Sequence, residues 1–146
     1  MKIIHHNDND GYCAAACVNS YLTDAINVPQ KEDFYVYSHN LDFTPPEVKP
    51  GETVYVVDLS LDERIFSFIK YCVDTGARVI HIDHHQKTFD FIENNKELNI
   101  KEMEYDKNSH FLGIYFYGSS LTGFANENSD LLDSLSPAID KFHPPF

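Results

Sequence analysis

Apolar residues fall into short blocks along this chain, and three of the blocks break off at carboxylate or imidazole side chains. Met1–His6 is apolar at Ile3 and Ile4 and runs into His6-Asn7-Asp8-Asn9-Asp10-Gly11. Thr53–Asp58 carries Val54-Tyr55-Val56-Val57 and stops at Asp58; Arg78–Asp83 carries Val79-Ile80-His81-Ile82 and stops at Asp83-His84-His85. Blocks of this length, rich in β-branched and aromatic residues, predict buried strands, and Phe34–Ser38 predicts another. Between them the period changes. Gly11–Asp24, with Ala14, Ala15, Ala16, Val18, Tyr21 and Leu22, predicts a small-residue helix packed close to a sheet, and Gly11 is expected to let the backbone turn sharply into it. Leu61–Thr75 places Ile65, Phe66, Phe68, Ile69 and Cys72 at helical spacing, with Asp62 as the expected N-cap and Gly76 as the stop. Pro45, Pro46, Pro50 and Gly51 mark a loop. Ile100–Tyr105 is expected as a fifth strand, and His110–Asn126 as a helix despite Gly113, Gly118 and Gly123. The stretch from Ser129 to Phe146 is weakly patterned. Strands alternating with helices predict an α/β fold, a parallel sheet with helices on both faces. Ligands of such sheets gather beyond the carboxyl ends of the strands, where His6, Asp8, Asp10, Asp58, Asp83 and His84 would all lie.

Composition narrows the class. A chain of 146 residues with 42% hydrophobic content is expected to form a single domain, 1–146, with a real core. No apolar run approaches the ~20 residues that span a bilayer, and the first residues lack the pattern of a secretory signal. Cys13, Cys17 and Cys72 have no disulfide-framework spacing, so they are read as reduced thiols of a cytoplasmic protein. Acidic residues outnumber basic ones 23 to 11, and the formal net charge of −12 opposes binding of long nucleic acid along a groove. A short phosphate substrate remains compatible, because bound divalent ions would reverse the local field.

Carboxylates and imidazoles suit manganese, magnesium or zinc better than thiolate-seeking metals. Asp8 and Asp10 lie two apart in a loop and can converge on one point or on neighbouring points, while Asp58 arrives from another strand and could bridge two ions. Two ions ~3.5–4 Å apart can clamp the attacking and leaving oxygens of a phosphoryl displacement, and an ion can lower the pKa of water towards ~7. Taken alone, Asn7-Asp8-Asn9-Asp10-Gly11 is more often a solvated turn, and a His-His pair is usually a surface or packing feature. Three such clusters at three strand ends favour a metal site. A calcium EF-hand is excluded, since His6 and Cys17 would occupy loop positions that need carboxylates and a strand precedes the loop. Asp8-Asn9-Asp10-Gly11 also fits the start of haloacid-dehalogenase-type phosphatases, but that reading gives His84 and His85 no role.

The three clusters together resemble the DHH phosphoesterase family over roughly Met1 to Phe124. His6-Asn7-Asp8-Asn9-Asp10-Gly11 is similar to its first motif, Val57-Asp58-Leu59-Ser60 to its second and Asp83-His84-His85 to its third; Gly118-Ser119-Ser120-Leu121-Thr122 is similar to a helix that some members carry afterwards. The family includes RecJ-type exonucleases, nanoRNA and oligoribonucleotide phosphodiesterases, cyclic-dinucleotide phosphodiesterases and manganese pyrophosphatases. The resemblance implies a DHH-type N-terminal domain and two divalent ions, manganese before magnesium. It implies that His6 and Asp8 hold one ion, Asp10 and His84 the other, and that Asp58 bridges. Asp83 would support the His84 imidazole from behind, His85 would reach the substrate phosphate, and Lys87 would add a phosphate contact. A fourth-motif acid would be Asp140 or Asp133. Members often continue into a C-terminal accessory nucleic-acid-binding domain, which is not expected within these residues. The implied function is a metal-dependent phosphodiesterase that hydrolyses short oligonucleotides or a small, including cyclic, nucleotide through a water activated by two metals. The competing expectation is a metal- or nucleotide-binding module without turnover, or a fragment of a longer protein. No membrane partner is expected, and apolar residues of His110–Phe124 are candidates for either core or a homo-oligomer face.

Overall fold

The structure is a computed structural model that describes residues 1–23, 28–38, 43–98, 100 and 111–115. Its strands are β1 (Lys2–His6), β2 (Phe34–Tyr37), β3 (Thr53–Val57), β4 (Arg78–Asp83) and β5 (Phe111–Tyr115); its helices are α1 (Asn9–Thr23), α2 (Glu63–Thr75) and α3 (Gln86–Asn94). The strands form one sheet in the order β2-β1-β3-β4-β5, and every pairing is parallel. The register aligns His6 with Tyr37, His5 with Val57, Val57 with Ile82 and Asp83 with Tyr115. The three polar clusters therefore emerge side by side from the carboxyl ends of the three central strands.

Strand alternation sends neighbouring residues to opposite faces. Ile3 and Val57 join Ala15, Val18 and Leu22 of α1 on one face. Ile4, Val54, Val56 and Val79 join Ile65, Phe68, Ile69 and Cys72 of α2 on the other, where Phe91 and Ile92 of α3 also pack. The chain leaves β1 towards β2 in one direction and later runs β3, β4, β5 in the opposite direction. With crossovers of a single hand, that reversal requires helices on opposite faces. It also makes the junction between β1 and β3 the switch point of the topology, where ligands of open parallel sheets collect.

Local signals hold where the helix ends are concerned. Asp62 caps α2, accepting the Ile65 amide on its side chain at 2.9 Å. Gly76 closes that helix at φ 93°, a left-handed conformation that suits glycine, with its amide turned back to the carbonyls of Cys72 and Val73. Two expectations are corrected. Phe111–Tyr115, expected inside a helix, is strand β5, paired along the whole of its length with β4. A second correction adds an element: α3 follows directly on His85. Of the expected strand Ile100–Tyr105 only Ile100 is described, buried in the α2-side core. The remainder of that strand, Gly118–Thr122, Asp133 and Asp140 lie outside the described residues. Among the described residues no helix is long and apolar enough to cross a membrane.

Candidate metal centre

The first corner is built where β1 hands over to α1. Asp8 is the residue before the helix, and its Oδ1 accepts the Gly11 amide at 2.7 Å while its carbonyl accepts the Tyr12 amide at 3.0 Å. Its other oxygen, Oδ2, accepts from His6 Nδ1 at 2.6 Å. Partial burial pushes the Asp8 carboxyl up, but the Gly11 amide and His6 outweigh it and hold it below the usual carboxylate range. Gly11 itself has a different purpose from the one expected. It does not adopt a positive φ. A Cβ there would stand 2.1 Å from the His6 carbonyl oxygen, so glycine is needed for α1 to close onto the end of β1. That approach keeps Asp8 beside His6.

Asp58 forms the centre. It leaves β3 at φ 56°, the left-handed region that aspartate tolerates better than most residues, with its amide bonded to the Ile82 carbonyl at 2.9 Å. Only 4% of it is exposed. His84 Nε2 donates to its Oδ1 at 2.8 Å, and His85 Nε2 stands 3.9 Å from the same oxygen. Oδ2 is buried with no hydrogen-bond partner among the described residues. Burial raises the Asp58 carboxyl above its ordinary range, His84 and His85 oppose this, and the charge of Asp8 pushes the same way as burial. A buried carboxylate oxygen with no donor, facing other acids and imidazoles, is what a divalent cation would satisfy.

The third corner is a dyad. Asp83 Oδ1 accepts from His85 Nδ1 at 2.6 Å, and Oδ2 accepts the Thr88 hydroxyl at 2.5 Å and the His85 amide at 3.3 Å. Thr88 Oγ1 in turn accepts the Leu61 amide at 2.7 Å. Burial pushes the Asp83 carboxyl up, but the His85 hydrogen bond, His81 and Thr88 bring it below its usual range. The same hydrogen bond raises His85, against a smaller effect of burial. The imidazole that Asp83 supports is therefore His85, while His84 turns to Asp58.

Among the described residues two groups of donor atoms result, His6-Asp8-Asp58 and Asp58-Asp83-His84-His85, and within each the atoms lie within 4.8 Å of one another. Asp58 belongs to both. The all-oxygen-and-nitrogen donor set, with the orphaned Asp58 oxygen, fits a hard or borderline divalent ion. Asp10 sits exposed in the first turn of α1 and belongs to neither group, and Lys87 is exposed in the first turn of α3. Two residues that the sequence did not single out serve the site from behind. Thr88 links Asp83 to Leu61, and buried His81 donates from Nε2 to the Leu59 carbonyl at 2.7 Å. Their only sequence signal is weak: a hydroxyl a few residues past a metal motif, and a histidine inside an apolar strand.

No curated protein and no solved structure matched the chain. The family model for the DHH family, N-terminal domain, matches residues 1–130. Domains of this family are in general those of metal-dependent phosphoesterase hydrolases. The match covers most of the chain and includes the ends of β1, β3 and β4 from which the two ligand groups are built. The chain belongs to the DHH family.

Proposed function

We propose that this domain is a metal-dependent phosphodiesterase acting on short oligonucleotides or a small nucleotide. The observation that carries the reading is Asp58: a buried carboxylate, shared by two candidate ligand groups, with one oxygen that no donor among the described residues satisfies. His6, Asp8 and Asp58 would hold one ion, and Asp58 and His84 another, with Asp10 as its further ligand. When bound, such ions would supply Lewis acidity, lower the pKa of an attacking water and offset phosphate charge; manganese is the first choice and magnesium the second. The protein's own residues set the geometry. Asp83 accepts His85 Nδ1–H and so fixes the ring, leaving Nε2 on the Asp58 side to donate to a substrate phosphate oxygen. In the metal-free domain the Asp83 hydrogen bond raises the His85 pKa. Lys87, in the first turn of α3, would add a second cationic contact. The net charge of −12 favours a short substrate gripped at the centre over a long one held along a groove.

The test is hydrolysis of a chromogenic phosphodiester and of a dinucleotide with added Mn2+. Turnover by the wild type, lost in Asp58→Ala and Asp8→Ala, supports the reading; activity that survives both substitutions overturns it. A second reading is favoured by the position of Asp10, exposed and outside both ligand groups. In that reading the domain binds a metal or nucleotide without turnover. Tight Mn2+ binding with no hydrolysis of either ester would select it, and a loss of turnover in Asp10→Ala would exclude it.

A further inference from the structure

The Asp58–Leu61 segment is buried, contains a left-handed aspartate and is tied at both following backbone positions to the β4–α3 side of the site. His81 holds the Leu59 carbonyl at 2.7 Å, and Thr88 holds the Leu61 amide at 2.7 Å. His81 is fully buried, and a carbonyl only accepts, so its Nε2 carries the proton that Leu59 receives, while Nδ1 meets the Tyr115 hydroxyl 3.0 Å away. Tyr115 reaches it because of Gly113. In the register of β4 and β5, Gly113 stands opposite His81 and Tyr115 opposite Asp83. A Cβ on Gly113 would come within 2.7 Å of the Tyr115 ring and its oxygen. The missing side chain lets the ring lean diagonally across the pair and meet His81 edge-on, with centroids 5.2 Å apart.

We infer that Tyr115, acting through His81, and Thr88 are positioning residues that brace the backbone after Asp58, so that its buried carboxylate stays poised for a cation. The inference rests on the metal-site reading and goes beyond it: β5, which supplies no ligand to either group, tunes the centre through one hydroxyl. Left-handed backbone at a non-glycine residue persists only where its surroundings over-determine it, and these bonds are that surrounding. Thr88 serves both halves, since its single hydroxyl donates to Asp83 while accepting from Leu61.

The experiment uses the whole chain and two readouts, amide hydrogen exchange without metal and Mn2+ binding by calorimetry. Tyr115→Phe and Thr88→Val are expected to speed exchange of the Leu61 and Asp58 amides about tenfold and to weaken Mn2+ binding about tenfold or more. Thr88→Ser, which keeps the hydroxyl, retains wild-type values. Gly113→Ala reproduces Tyr115→Phe by displacing the ring. Glu52→Gln, at the opposite end of the sheet, calibrates what general destabilisation alone does to both readouts. Unchanged exchange at the two amides, or an affinity loss no larger than that of Glu52→Gln, overturns the brace. A wild type that binds no Mn2+ overturns the metal-site reading, and the brace's role toward a cation with it, whereas the exchange arm decides the backbone brace independently.

Discussion

Asp58 Oδ2 lies buried without a donor among the described residues, and a buried acceptor in that state costs roughly 1–3 kcal/mol. The neighbouring Asp8 charge adds to the penalty. Asparagine at position 58 removes the charge, tolerates the left-handed backbone and offers an amide donor towards Asp8. Asp58→Asn is therefore expected to raise the stability of the metal-free protein by about 1 kcal/mol in urea titrations with chelator present. The same variant should lose the rise in melting temperature expected of the wild type with Mn2+. A variant less stable than wild type without metal would show that the carboxylate is satisfied by the fold. Asp83 makes the opposite case. Three donors converge on it, and Asp83→Ala would strand the Thr88 hydroxyl and the His85 ring together, with a cost of about 2–3 kcal/mol and loss of turnover.

At the scale of elements, the site depends on how α1 docks. Its first turn comes so near β1 that a methyl group on Gly11 would overlap the His6 carbonyl at 2.1 Å. The obstacle is backbone and cannot swing aside. Gly11→Ala should cost about 3 kcal/mol by denaturant unfolding and part Asp8 from His6, so that Mn2+ affinity falls with it. The α2 cap offers a milder test: Asp62→Ala loses one side-chain bond to the Ile65 amide and should cost about 1 kcal/mol, with Asp62→Asn close to neutral. The helix ends of α2 could be read in advance because a capping aspartate and a terminal glycine are local chemistry. α3 could not, because its nine residues are mostly polar and its buried contacts come from Thr88, Phe91 and Ile92 meeting a core assembled elsewhere. β5 was misread for a related reason. Phe-Leu-Gly-Ile-Tyr suits either period, and pairing with β4 decides for strand.

Across the whole molecule, the sheet carries the candidate ligands at one edge and an ion-paired clasp at the other. Glu52, just before β3, accepts from Lys2 at 2.7 Å, from the Met1 amino group at 3.0 Å and from the Lys49 amide at 3.0 Å. Burial pushes its carboxyl up, but these partners prevail and lower it from 4.5 to about 2. A carboxyl whose pKa is lower folded than unfolded stabilises the fold above the unfolded value. That contribution is complete above about pH 4.5 and is lost as pH falls towards about 2. Wild type should thus lose roughly 2 kcal/mol across this window from Glu52 alone, allowing for screening at the protein surface, and Glu52→Gln should show a correspondingly flatter acid profile. At neutral pH, Mn2+ at a hundred times its dissociation constant should stabilise the wild type by about 2.7 kcal/mol, reversed by chelator.

Sequence alone determined the fold class, the four strands from Lys2 to Asp83, the first two helices and the residue types at the strand ends. It could do so because each signal is short-range: apolar alternation, a cap, a glycine stop, a polar cluster next to a strand. His6, Asp8, Asp58 and His84 were all legible as candidate ligands, and parallel pairing of the central strands brings them to one edge. Which group meets which was not legible, because partners separated by dozens of residues are chosen by register and by the face each side chain takes. Only the tertiary structure assigned His84 to Asp58 and His85 to Asp83, left Asp10 outside both groups, and gave Gly11 a contact to relieve in place of a turn to make. Only the tertiary structure, too, brought His81, Thr88 and Tyr115 behind Asp58, since a buried hydrogen bond becomes visible when both partners are in place.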